Sequence, residues 1–222
     1  MSLVRLIHTH TPTHTLLIAS RIHLYGAAAD PALATAVAAA IDTHWNEPRA
    51  SVQIGKNSYQ LAFRSEGIYV PDLEPETVWY NDDPANYYFR VEDFVLGDIS
   101  FVDGIGSNTG YFKKANLLQT STTAAHEFGH CLGLDHPAEL DIRGGQQPGI
   151  MYPRGTICDP AFQYDPESRA GDKGGTLDPR HRQVTLADIQ ELRLHKLRFS
   201  AGGEAVLGGF SSIYHFPHEP AE

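Results

Sequence analysis

One motif constrains this chain more than any other feature, because it fixes both a helix and the turn that ends it. The eleven residues from His126 to His136 read H-E-x-x-H-x-x-G-x-x-H. On a helix, His126 and His130 are four residues apart and project from the same face. Gly133 suits the left-handed backbone conformation that ends a helix, after which the chain turns back toward His136. The spacing therefore predicts a helix over residues 121–133 followed by a reversal.

The three histidines and the adjacent glutamate form the donor set of a catalytic metal site. Three neutral imidazoles with one open coordination position are typical of catalytic zinc, whereas structural zinc sites are closed. His126, His130 and His136 are therefore the candidate ligands. Glu127 is the candidate general base, which takes a proton from the attacking water. The alternative is a pair of surface histidines and an exposed glutamate on an unrelated helix, and the agreement of five positions with the motif favours the metal site.

A methionine-containing segment follows the motif. Met151-Tyr152-Pro153 begins fifteen residues after His136. Together the two segments resemble the metzincin clan of zinc endopeptidases, in which a methionine turn lies beneath the metal. The sequence of residues 124–130 and 151–153 is most similar to that of the matrixin branch. His136-Pro137 resembles the serralysins. Residues 186–190 resemble the start of the last matrixin helix.

The resemblance implies a fold class and a reaction. The fold is expected to be α+β with α/β/α-like layers, containing a twisted mixed sheet, an active-site helix, a methionine turn and a C-terminal helix. The expected reaction is hydrolysis of a peptide bond in a protein or peptide substrate, with one catalytic Zn²⁺ and with Glu127 passing its proton to the leaving amine. The expected catalytic domain covers residues 1–200, made up of a strand, helix and sheet part (1–118), the zinc helix and methionine turn (119–153), a loop (154–182) and a closing helix (185–198).

Local patterns predict the individual elements. Apolar residues alternate over 16–24, which predicts a strand, and residues 4–9 are expected to pair with it as a hairpin. Asp30-Pro31 is a helix start, and four-residue apolar spacing extends the helix to about residue 45. Residues 201–222 begin with a glycine-rich stretch and are expected to form a flexible C-terminal extension. The remaining predictions are a hairpin of residues 52–54 and 59–63, a loop over 71–86, strands at 87–91 and 99–102, and a last helix over 186–198.

The resemblance also assigns supporting roles near the metal. Met151 is expected to lie under the metal as a structural residue and not as a ligand, and Gly133 to end the active-site helix. Asp188 matches the matrixin aspartate that anchors the methionine turn, while its local pattern with Thr185 predicts a capping box, and the two roles are compatible. Tyr152 is a candidate transition-state donor, but it follows Met151 by one position and not by two, so packing is the favoured interpretation.

Two segments are candidates for binding the substrate. In metzincins an extended peptide pairs with an edge strand ahead of the zinc helix, and the matching stretch is residues 107–113, which includes Gly110 and Tyr111. The loop of residues 154–182 is expected to border the cleft and set specificity, with Phe162 and Tyr164 as wall residues. A solvated surface loop is the alternative, and its aspartates leave a structural Ca²⁺ as an open possibility.

The remaining reactive side chains carry weaker hypotheses. Cys131 and Cys158 are the only cysteines, and a disulfide, two free thiols and a zinc-directed inhibitory thiolate all stay open. His8, His10 and His14 alternate near the N-terminus, where a chance surface cluster is favoured over a metal site.

Charge and composition exclude some functions. The net charge of −10 argues against nucleic acid and against an anionic membrane surface as partners. No apolar run is long enough for membrane insertion. The first eight residues lack the apolar core of a secretory leader, so the expectation is export by a leaderless route or with the leader removed, with a cytoplasmic location as the alternative. The pattern predicts no particular oligomeric state.

Three functions are compatible with the motif. A zinc endopeptidase is favoured. A toxin or effector that uses the same site on one target protein is the second hypothesis, motivated by the missing leader. A non-catalytic zinc-binding module is the third, and the intact Glu127 argues against it because a degenerate site usually loses its base.

Overall fold

A long central strand organises the sheet. The computed structural model describes residues 2–8, 14–118 and 121–219. Strand β2 buries alternate side chains such as Leu16, Ile18 and Ile22, as the sequence pattern predicts. The strands are β1 (Ser2–Ile7), β2 (His14–Tyr25), β3 (Ser51–Ile54), β4 (Asn57–Tyr69), β5 (Asn86–Glu92), β6 (Phe101–Val102), β7 (Thr109–Lys113) and β8 (Glu204–Leu207). The helices are α1 (Pro31–Asn46), α2 (Pro75–Trp79), α3 (Lys114–Leu117), α4 (Thr123–Cys131) and α5 (Leu186–Glu191).

The sheet is mixed, which confirms the predicted α+β class. Its strand order is β3-β4-β2-β5-β7-β6, and β1 pairs with both β2 and β8. Strands β4 and β5 are parallel to β2, and β7 is parallel to β5, while β6 runs antiparallel to β7 at the end of the order. The predicted hairpins β1–β2 and β3–β4 are both present.

Helix α1 begins and packs as the sequence predicts. The Asp30 carboxylate accepts a hydrogen bond from the Leu33 amide at 2.8 Å, and Pro31 occupies the first turn. Near the other end, the buried Trp45 indole donates to the Ala125 carbonyl on α4 at 3.0 Å. Its ring also contacts Phe128. Helix α1 therefore holds α4 against the large hydrophobic core on one face of the sheet.

The opposite face of the sheet has thinner cover. Neighbouring residues of a strand point to opposite faces of the sheet. Tyr25 and Tyr88 lie on the face away from the main core, where they pack with Leu73 and Val78 in a second, smaller cluster. Helix α2 contributes Val78 to this cluster, within the stretch predicted to be only loop. No helix in the described part of the chain is long and apolar enough to cross a bilayer.

The last helix is shorter than predicted. Helix α5 ends at Glu191, and a separate 3-10 turn follows at Leu194–Lys196. Between them Arg193 has a φ of 49°, in the left-handed region. Leu192 and Leu194 are both buried. The backbone break between these two leucines ends the α-helix that the sequence pattern extended to residue 198.

The prediction of a flexible C-terminal extension is wrong for residues 201–219. Strand β8 pairs with β1, with Val206 opposite Leu3. The chain then runs along the second face, where His215 Nε2 lies 2.9 Å from an Asp103 carboxylate oxygen. The His218 amide donates to the Tyr111 hydroxyl at 2.9 Å. The sequence prediction rested on the glycines of this segment. The contacts that hold the segment against the sheet come instead from aromatic and histidine side chains that lie between and after these glycines.

Candidate metal centre

Helix α4 presents the first two histidines in a buried setting. Every residue from Thr123 to Cys131 is buried. Phe128 and Trp45 hold one side of the helix, and His126 and His130 project from another, four residues apart. An ideal Cβ built on Gly129 would lie 2.3 Å from Met151 Sδ. Gly129 therefore lets the methionine side chain approach the helix directly, a requirement that the sequence analysis missed.

The predicted reversal at Gly133 brings the third histidine back. Gly133 has a φ of +105°, and the Leu134 amide donates to the Gly129 carbonyl at 3.0 Å. His136 Nε2 consequently lies 3.1 Å from His130 Nε2 and 3.2 Å from His126 Nε2. Within the described part of the chain, these three side chains form the only group of three or more His, Cys, Asp or Glu residues close enough to share one metal ion.

The donor set fits a tetrahedral zinc ion. Zinc–nitrogen bonds of about 2.05 Å in tetrahedral geometry place the ligand nitrogens about 3.3 Å apart. His126 Nδ1 lies 2.7 Å from the Ile150 carbonyl, and His130 Nδ1 lies 2.8 Å from the Leu134 carbonyl. Since a carbonyl only accepts, both Nδ1 atoms carry the hydrogen and both Nε2 atoms keep a free lone pair. Burial, the largest cause in each case, lowers the pKa of His126, His130 and His136 and favours the neutral form that binds metal.

Glu127 lies beside the histidines and is largely buried. Its side chain lines the same cavity as the three histidines, and the residue is 7% exposed. Burial raises the pKa of Glu127 to about 8, and the positive charges of Arg182 and Arg154 oppose the increase. A carboxyl group with a raised pKa is a stronger base when ionised, which suits transfer of a proton from water.

Asp188 forms the predicted capping box, and its carboxylate lies beside Gly149, just ahead of the methionine turn. Asp188 accepts from the Thr185 amide at 2.7 Å and forms the predicted capping box with the Thr185 hydroxyl. Burial raises the pKa of Asp188, and the Ile150 backbone amide is among the groups that oppose this rise. Because the Ile150 carbonyl lies 2.7 Å from His126 Nδ1, Asp188 is one residue of the turn away from a candidate ligand. Met151 is buried, with its sulfur against Gly129.

We expect Asp188→Ala to weaken both the fold and the metal site. The variant removes the acceptor of the Thr185 amide and of the Thr185 hydroxyl, which should lower the free energy of unfolding by about 1–3 kcal/mol. Loss of the Ile150 contact should also weaken zinc affinity about tenfold. Denaturant unfolding and chelator competition measure the two effects. Glu191→Ala, at an exposed position of the same helix, is the matched control, and equal behaviour of the two variants would contradict the anchoring role.

The cavity beside the histidines has a different edge strand from the predicted one. It measures about 520 Å³ and is bordered on one side by residues 99–102 and 104–105. Strand β6 is the terminal strand of the sheet, and β7 lies inside it between β5 and β6. The substrate-binding prediction for Gly110 and Tyr111 is therefore corrected. A Cβ on Gly110 would lie 2.4 Å from the Phe101 carbonyl, and Tyr111 is fully buried with its ring stacked on His218.

The other side of the cavity also differs from the prediction. Of the loop 154–182, only Arg154, Gly155 and Arg182 line the cavity. Phe162 contacts the His181 ring, and Tyr164 is 46% exposed, so neither is a wall residue. Tyr152 lines a separate depression with Ile142 and Pro148, in agreement with a packing role.

The aspartates of this loop are engaged locally. Asp159 accepts from the Gly144 amide at 3.0 Å, Asp165 accepts from the Ser168 hydroxyl at 3.0 Å, and Asp178 pairs with Arg180 at 2.5 Å. They do not converge on one point in the described structure, so the Ca²⁺ hypothesis gains no support from their positions.

The cysteines and the N-terminal histidines stay outside the site. Cys131 and Cys158 are both buried and unbonded, which agrees with the free-thiol alternative. Burial raises the pKa of the Cys131 thiol, so it remains protonated and is a poor metal ligand. His8 and His14 contact each other with ring centroids 5.0 Å apart, and His10 lies outside the described residues.

Comparisons with known proteins assign no family. No protein-family profile matches the sequence, and no curated protein matches it. A solved structure of myroilysin is similar over 81% of this chain and 94% of that chain, with 11% sequence identity and a TM-score of 0.38. A TM-score this low assigns neither a fold family nor an activity. The arrangement of His126, Glu127, His130 and His136 therefore carries the functional interpretation by itself.

Proposed function

We propose that this chain is a zinc-dependent endopeptidase of the metzincin type, closest to the matrixins in its motifs. One observation carries the proposal. The Nε2 atoms of His126, His130 and His136 converge beside the buried Glu127, in a cavity bordered by the terminal strand of the sheet. This combination of a three-histidine donor set, a base and an exposed strand edge is what hydrolysis of an extended peptide needs.

Each part of the site has a distinct task in the proposed reaction. The three histidines hold zinc, with two of them oriented by backbone carbonyls. When bound, zinc makes water acidic near neutral pH and polarises the scissile carbonyl. Glu127 takes the proton of the attacking water and delivers it to the leaving amine. A peptide paired with the outer edge of β6 lies across this group as an added strand.

The experiment that tests the proposal combines metal analysis with cleavage of mixed peptides. We expect about one zinc per chain by elemental analysis, internal cleavage of peptides derived from a whole proteome, and loss of cleavage after chelation that added zinc restores. Cleavage that persists in the chelated, zinc-free protein would contradict the proposal, as would a zinc-loaded protein that cleaves nothing. Cleavage confined to one protein in the same assay would favour the narrow-specificity effector.

A further inference from the structure

Two arginines at the ends of one loop meet at the cavity beside Glu127. Arg154 follows the methionine turn, and Arg182 precedes α5. Both line the cavity that contains the three histidines. Arg154 is exposed, whereas Arg182 is only 5% exposed. The chain as a whole has a net charge of −10, so this end of the cavity is a local region of positive charge on an acidic protein.

Arg182 is a buried cation without an ionic partner. Its Nε donates to the Thr122 hydroxyl at 2.9 Å, and its Nη1 donates to the Tyr152 carbonyl at 3.2 Å. Both acceptors are neutral. Across residues 2–8, 14–118 and 121–219, no Asp or Glu carboxylate lies within 4.0 Å of the guanidinium group of either Arg182 or Arg154. A buried charge is costly unless it is paired, so an anionic group of a ligand in the cavity would stabilise Arg182.

The Nη2 group of Arg182 remains available to a ligand. The fixed contacts use Nε and Nη1, and no hydrogen-bond partner of Nη2 is found among the described residues. The negative charge of Glu127 raises the pKa of Arg182, but the two side chains form no ion pair. Burial lowers the pKa of Arg182 to about 10, so the group remains positive at neutral pH. A planar guanidinium group held in one orientation suits a carboxylate.

We infer that Arg182, assisted by Arg154, binds a carboxylate of the peptide substrate, supplied by an aspartate or glutamate side chain next to the scissile bond. This inference rests on the proposed peptidase function and names its substrate class. The free C-terminus of a peptide carries the same chemical group. A side chain is favoured because β6 and the residues on either side of it (99–102 and 104–105) border the cavity, so a peptide paired with β6 would continue past the site.

The inference is tested with pairs of peptides that differ only in one side chain, which is a carboxylate in one member and the corresponding amide in the other. Matched substrates with blocked ends carry Asp or Asn, or Glu or Gln, at each position flanking the cleaved bond. The neutral peptides are also tested with a free C-terminus. We expect the wild-type protein to cleave the acidic member with a kcat/KM that is roughly 10- to 100-fold higher. Arg182→Gln should bring the ratio close to one, and Arg154→Gln should reduce it severalfold. Arg169→Gln removes an exposed charge from the same loop away from the cavity and should leave the ratio unchanged.

A binding measurement makes the result independent of turnover. The zinc-loaded Glu127→Gln variant is titrated with the same uncleaved peptides by calorimetry, and the acidic member should bind more tightly by a similar factor. Arg182→Gln also loses the contacts to Thr122 and Tyr152, so its unfolding temperature is measured in parallel. Arg154→Gln changes an exposed residue and tests the same charge in a folded protein.

The outcomes separate this inference from the proposed function. If the acidic and amide members of each pair are cleaved with the same kcat/KM, the proposed peptidase function stands and the carboxylate site is overturned. A preference shown only by neutral peptides with a free C-terminus would also overturn the side-chain assignment. If no peptide is cleaved, the proposed function fails, and the binding measurement alone decides on the carboxylate site. Equal binding of acidic and neutral peptides would then overturn the carboxylate site. Tighter binding of the acidic peptides would support the carboxylate site.

Discussion

Glu127→Ala is expected to keep about one zinc per chain while losing at least about 10³-fold in kcat. The variant removes the group that accepts the proton of the attacking water, and general-base catalysis alone contributes about 10² to 10⁴-fold. The metal should remain because the three converging Nε2 atoms belong to other side chains. Apart from Glu127, the only carboxylate in the described part of the chain that lines the cavity is that of Asp135. Initial rates and elemental analysis on the same preparation measure both effects.

Two control variants make this result interpretable. Glu127→Gln keeps the volume of the side chain and removes only its basicity, so it should be about as inactive as the alanine variant. Glu139→Ala, at an exposed position outside the cavity, should behave as the wild type. A turnover within tenfold of the wild type in Glu127→Ala would remove this residue from the mechanism and direct attention to Asp135.

His136→Ala is expected to weaken zinc binding by several orders of magnitude and to abolish cleavage. His126 and His130 come from one helix face, and the third donor arrives only through the reversal at Gly133. With two nitrogens left, zinc has no complete protein ligand set. Competition with a chromophoric chelator measures the affinity. His195→Ala, which changes an exposed histidine far along the chain, is the control for loss of any imidazole.

Unchanged zinc affinity in His136→Ala would mean that the third ligand comes from elsewhere. In the described part of the chain, the group that could hold one metal ion contains no His, Cys, Asp or Glu besides His126, His130 and His136. That result would therefore contradict both the resemblance to metzincins and the observed geometry of the turn.

Local chemistry let the sequence predict the centre of the site. The helix face, the left-handed Gly133 and the return of His136 all depend on residues within eleven positions of one another. The same holds for the Asp30 cap of α1 and for the capping box of Asp188 with Thr185. In each case the side chain satisfies backbone groups in its own neighbourhood, so the pattern is readable without the rest of the fold.

Tertiary structure alone decided what surrounds the candidate zinc ligands. Strand β6 rather than β7 became the outer edge because the antiparallel strand covers Gly110 and Tyr111, a pairing that no local pattern encodes. Arg182 reaches the cavity from a loop fifty-two residues after His130 in sequence, and nothing near it in the chain marks it. The C-terminal segment became ordered through contacts of His215 and His218 with distant strands. The sequence by itself determined the candidate metal ligands and the candidate base, because their spacing is local. The fold decided the walls of the cleft and its charge, because those depend on which distant segments pack together.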